Sequence, residues 1–164
     1  MATFLSRVRG AMTVPDAVVM VSGVVQALTL LIRTLLRNGV DSVAVEDPSK
    51  AIKRQLLARL GMRVINVPVD DGGLRVDALA TSPVRVVLCT PAHQYPTGVA
   101  LSSTRRENLL HWVRDVDGLV IEDDYDSEFR HGRAPLACLQ GMDSSHAALM
   151  GSVSKTMAPA LRLG

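Results

Sequence analysis

Short apolar runs alternating with helix-type segments constrain this 164-residue chain more than any other feature. The runs fall at residues 18–21, 42–45, 63–69, 84–89, 119–121 and 147–150. Most are apolar throughout rather than every second residue, which suits strands covered on both faces. Helix signals lie between them. Ser22-Gly23 precedes residues 24–36, which Asn38-Gly39 stops. Asp47-Pro48-Ser49 opens a helix that runs to Leu60 and ends at Gly61. Ser102 or Ser103 caps another that runs to about Val116. A short helix carrying Leu5 and Val8 begins the chain, another falls near residues 76–80, and one turn is expected near Leu136. The pattern predicts an α/β domain of three layers around a mostly parallel sheet.

Composition narrows the function classes. Hydrophobic residues make up 48% and charged residues 21%, which supports a packed core rather than disorder. Aromatics are only 3%, so that core is built from Val, Leu, Ala and Ile. A net charge of +2 without a dense basic run argues against direct nucleic-acid binding by this chain. Cys89 and Cys138 lack metal-ligand spacing and read as buried free thiols, which suits a reducing cytoplasm. No secretory leader is expected, and the uncharged stretch at residues 17–32 is shorter than the roughly 20 residues that span a bilayer.

In such sheets ligands bind beyond the carboxyl ends of the strands. Ser22-Gly23, the loop at residues 90–98, Asp123 with Tyr125, and Ser152-Val153-Ser154-Lys155-Thr156 all fall at that address. Lys155, among small hydroxyl residues, is placed as an amine nucleophile, although a lone lysine more often lies solvated. Ser22-Gly23 offers a phosphate seat at a helix start, or an ordinary helix cap. Ser152 and Arg162 add phosphate donors. Asp123 and Asp124 are adjacent, so in an extended chain one faces the site and the other is expected to face solvent. A lysine, a phosphate grip and a carboxylate suit pyridoxal 5'-phosphate. A nucleotide P-loop fits worse, because its glycine before the lysine is missing.

In this order the residues resemble the fold-type I pyridoxal-phosphate-dependent aminotransferases. More closely they resemble the aminotransferase-like domain of MocR-type regulators of the GntR family. The carriers are Val21-Ser22-Gly23 with Gln26-Ala27-Leu28, Val45-Glu46-Asp47-Pro48, His93-Gln94-Tyr95-Pro96-Thr97-Gly98, the Ile121 to Arg130 block, and Gly151 to Thr156 with Leu161-Arg162-Leu163-Gly164. The resemblance covers nearly all of residues 1–164 as one large domain, with no helix-turn-helix inside it. It implies Lys155 as the Schiff-base lysine, Asp123 at the pyridine nitrogen and Tyr125 at the ring hydroxyl. Ser22, Gly23, Ser152 and Arg162 would hold the phosphate. It also implies a homodimer and a small amine or amino acid as effector.

The family pattern is not followed throughout. Lys50 stands where the family usually has an aromatic residue, and Tyr95 where many members place an asparagine. An antiparallel final strand and a small domain would follow Gly164 in the family. Three readings come out of this: a cofactor-binding sensor domain, an inactive remnant or dimerisation scaffold, and a small aminotransferase.

Overall fold

The computed structural model describes residues 1–125 and 137–152. Eleven elements build it. They are α1 (Ala2–Arg9), α2 (Val24–Arg37), β1 (Ser42–Asp47), α3 (Ala51–Arg59), β2 (Arg63–Asp70), β3 (Gly73–Leu74), β4 (Val86–Cys89), α4 (Ser103–Asp115), β5 (Leu119–Asp124), α5 (Leu139–Met142) and β6 (Ala147–Gly151). Single 3₁₀ turns sit at Pro15–Ala17 and Val76–Ala78.

The strands form one sheet in the order β3-β2-β1-β4-β5-β6, and only the β2–β3 pair is antiparallel. Burial on both faces explains the uninterrupted apolar runs. On one face α2 and α3 bring Leu28, Ile32 and Leu57 against Val43, Val45, Val86, Leu88, Ile121 and Met150. On the other, α4 and α5 bring Leu109, Val113 and Leu139 against Ala44, Val87, Val120 and Ala147. Each fully buried Leu, Ile or Val contributes about 1.5–3 kcal/mol. The expected three-layer α/β architecture is therefore observed. No helix among the described residues is long and apolar enough to cross a membrane.

Two expectations are corrected. Residues 18–21 form no strand: among the described residues they pair with no neighbour, and Val19 is 72% exposed. An apolar run becomes a strand only where another strand takes its backbone hydrogen bonds, and none of the described strands lies beside this one. The strand expected at residues 119–121 is longer than that run. β5 carries on through Glu122, Asp123 and Asp124, paired to β6 as far as Asp124↔Gly151. The helix turn expected near Leu136 appears as α5 at Leu139–Met142, while residues 126–136 lie outside the described part.

The α4–β5 connection depends on a close backbone approach. A methyl group on Gly118 would collide with the Arg85 carbonyl oxygen, which also accepts the Leu119 amide at 2.9 Å. Gly118→Ala is expected to cost about 2 kcal/mol or more, because backbone rather than a flexible side chain must yield. Thermal unfolding checks this, and an unchanged midpoint would contradict it.

Candidate functional site

The parallel strands β1, β4, β5 and β6 all end on one edge of the sheet. Asp123, near the end of β5, is 2% exposed and lies on the α2–α3 face, two residues on from the core residue Ile121. Its carboxylate meets the Lys53 ammonium of α3 in an ion pair. Among the described residues that ammonium, on Oδ2, is the partner of the carboxylate, and Oδ1 has none. Ser49, on the same edge, has a buried hydroxyl that also lacks a partner there.

Two aromatic rings stand over this acid's edge. Tyr125 follows β5 and donates its hydroxyl to the His93 carbonyl at 2.9 Å. The His93 and Tyr125 rings stack at 6.0 Å, and Tyr95 meets Tyr125 edge-on at 6.5 Å. Lys50 places its ammonium 4.5 Å from the Tyr95 ring centre and 4.9 Å from that of Tyr125. Both lie within cation–π range. Lys50 thus lies against both tyrosine rings.

A buried polar group fixes the floor. Glu46 of β1 accepts the Thr90 amide at 3.1 Å and the Thr90 hydroxyl at 2.6 Å. Burial raises its carboxyl above the ordinary range, against the pull of the Thr90 and Gln94 hydrogen bonds. Gln94 ties the β4 loop to the start of α3, donating to the carbonyls of Pro48 at 2.7 Å and Tyr95 at 2.8 Å. Its own oxygen accepts the Thr97 hydroxyl at 2.6 Å. The Asp47–Pro48 and Tyr95–Pro96 peptides are cis. Burial and the neighbouring Lys50 charge pull the Lys53 ammonium down to about 8, with Glu46 pulling the other way. The cavity left between Glu46, Ser49, Lys50, Lys53, Thr90, Tyr95 and Asp123 measures only about 20 Å³.

Ser22-Gly23 heads α2, with Gly23 as its N-cap at φ 89° and no side-chain cap. The Ser22 amide instead donates to Gln26 Oε1 at 2.5 Å. Ser152 follows β6, one residue past the Gly151 that pairs with Asp124. Strand pairing therefore brings Asp123, Tyr125 and Ser152 to one edge. Lys155 and Arg162 lie outside the described residues.

Asp124 departs from its expectation. It faces Arg9 rather than solvent: Arg9 Nε lies 2.6 Å from its carboxylate, and both side chains are almost fully buried. Glu122 shares that face, 3.9 Å from Arg9, and accepts the Leu139 amide at 2.7 Å. Sequence reasoning missed Lys53, Gln94, Thr90 and Arg9. The spacing of Lys50 and Lys53 just beyond a strand end was the available signal for the first of these. Cys89 and Cys138 are buried free thiols, as expected.

The buried Asp123 carboxylate suits a protonated ring nitrogen, whose N–H would supply a donor to the oxygen that has none among the described residues. Comparison with known proteins agrees with this chemistry. The whole chain, residues 1–164, matches the family described as aminotransferase class I and II. It is 35% identical over 163 residues to the HTH-type pyridoxine biosynthesis transcriptional regulator PdxR of Corynebacterium glutamicum, covering 99% of this chain and 35% of that protein. It is 34% identical over 165 residues to the probable rhizopine catabolism regulatory protein MocR of Rhizobium meliloti, covering 99% of this chain and 33% of that protein. The chain thus spans about a third of the length of these relatives. Among solved structures, the kynurenine aminotransferase of Pyrococcus horikoshii superposes with a TM-score of 0.86 at 28% identity, over 99% of this chain and 42% of that one. The α-aminoadipate aminotransferase LysN of Thermus thermophilus, complexed with N-(5'-phosphopyridoxyl)-L-leucine, gives 0.84 at 28% identity, over 98% of this chain and 43% of that one. The mostly parallel sheet, the acid buried at its carboxyl edge and a match along the full length make this chain a member of the aminotransferase class I and II family.

Proposed function

We propose that this chain holds pyridoxal 5'-phosphate at the carboxyl edge of its sheet and serves as the amine-sensing part of a MocR-type regulator. The observation that supports it most is Asp123, a carboxylate buried at the carboxyl edge of the sheet whose Oδ1 has no partner among the described residues. Bound there, the cofactor supplies an electron sink for amine chemistry. Asp123 keeps a proton on the ring nitrogen through its negative charge. Tyr125 offers a phenol to the ring hydroxyl by releasing the His93 carbonyl. The head of α2, at Gly23, presents backbone amides and a positive dipole end to the phosphate, with Ser22, Ser152 and Arg162 as further donors. Lys155 would be the residue that holds the cofactor covalently through its amine. A small amine or amino acid is the effector, and the working unit is a homodimer that makes no nucleic-acid contact through these residues.

A working aminotransferase is the second reading, favoured by the fold match to the kynurenine enzyme. A visible spectrum of the purified chain with added pyridoxal phosphate tests both. The expected result is a band that borohydride bleaches, with the added mass on Lys155, and that Lys155→Ala abolishes. A band that amines shift without forming keto acid supports the sensor; steady keto-acid formation supports the enzyme. A folded chain without a band would instead mark an inactive scaffold.

A further inference from the structure

Lys53 sits where little in its own helix favours a cation. It lies in the first turn of α3, whose dipole end repels positive charge. Lys50, the N-cap of the same helix, adds a second cation, and no acid occupies that first turn. The side chain is four-fifths buried. Across the sheet edge lies Asp123, 1% exposed at its side chain, with Lys53 as its ion-pair partner. The pair neutralises two groups that would each be costly alone. The space left beside them, about 20 Å³, has room for a water and not for a ring.

From this geometry we propose that Lys53 is a displaceable counter-ion: it pairs with Asp123 in the free chain and yields that carboxylate to the ring nitrogen when the cofactor enters. This rests on the cofactor reading above. Charge balance is preserved, because one cation replaces another at the same acid. Lys50 moves with it, since it fills the gap between Tyr95 and Tyr125 on the same route. Cofactor affinity is therefore set by a competition inside the protein, and the free site is closed rather than open.

Equilibrium dialysis with pyridoxal phosphate tests this on the full chain and on Lys53→Met, which keeps the length of the side chain without its charge. The expected result is at least tenfold tighter binding by the variant, whose Asp123 has lost its competitor. Equal or weaker binding by the variant would overturn the displacement and leave the cofactor reading standing. Binding by neither chain would remove the cofactor reading and the displacement with it. A second measurement does not depend on the variant folding. Acetylation of Lys53 in the unsubstituted chain, followed by mass spectrometry, should speed up several-fold when pyridoxal phosphate is added; an unchanged rate overturns the proposal.

Discussion

Arg9→Met is expected to lower the unfolding free energy by about 3–5 kcal/mol, the usual cost of removing one partner from a buried ion pair. Arg9 is 3% exposed and lies between Asp124, at 2.6 Å, and Glu122, at 3.9 Å. Methionine fills much of the volume and leaves two buried carboxylates facing an apolar chain. The damage is not local. The Arg9 carbonyl accepts the Cys138 amide at 2.9 Å, and Gln140 holds Met12 through two hydrogen bonds of 3.0 and 2.7 Å. α1 is thereby fastened to α5 and β5 together. Urea unfolding measures the loss. A loss below about 0.5 kcal/mol would show that the pair behaves like an exposed one.

Stability is also expected to fall as pH rises from about 4.5 to 7, through Glu122. Burial pushes its carboxyl up to about 7 from an ordinary 4.5, against the Leu139 amide and the charges of Arg106 and Arg9. The folded chain therefore holds a proton in that window which the unfolded chain has released. The sign follows: the contribution is complete below 4.5 and is lost as pH passes through about 7. The difference is worth about 3 kcal/mol. Glu122→Gln keeps an acceptor for the Leu139 amide and cannot titrate, so its unfolding profile should lack this descent. Other acids contribute too, Glu46 in the same direction because burial raises it and Asp70 at lower pH because the Arg105 guanidinium holds it down, and subtracting the variant's profile removes their share. Matching slopes for the two chains would refute the assignment. Because Arg9 touches Glu122, the two substitutions are expected to be non-additive.

Much of this was legible in the sequence. Residues 42–45, 63–69 and 147–150 are mainly apolar and each lies inside a strand, while 84–89 contains the shorter β4. Of the two serines read as candidates, Ser102 caps α4, accepting the Arg105 amide at 3.4 Å. Residues 18–21 failed because strand propensity says nothing about who the partner is. The site was half legible. The place of Asp123 at the carboxyl edge could be read, since an acid at a strand end has an address. Asp124 was misread because its partner, Arg9, comes from the opposite end of the chain, and no local pattern encodes such a pair. Lys53 was missed for a related reason: on α3 it looks like a solvated helix residue, and only the fold brings it over β5.

β5 places three acids in a row, and its pleat sorts them. Asp123 goes to the face where a ligand can be met; Glu122 and Asp124 go to the face where α1 and α5 are fastened. The strand acts as a partition wall between two separate trades. On the cofactor reading proposed above, variation at residue 123 would act on what the protein recognises, through the pair with Lys53. Variation at 122 or 124 would act on the fastening instead. A lineage could therefore retune or abandon its ligand by changes on one side of a single strand, with the building on the other side left standing.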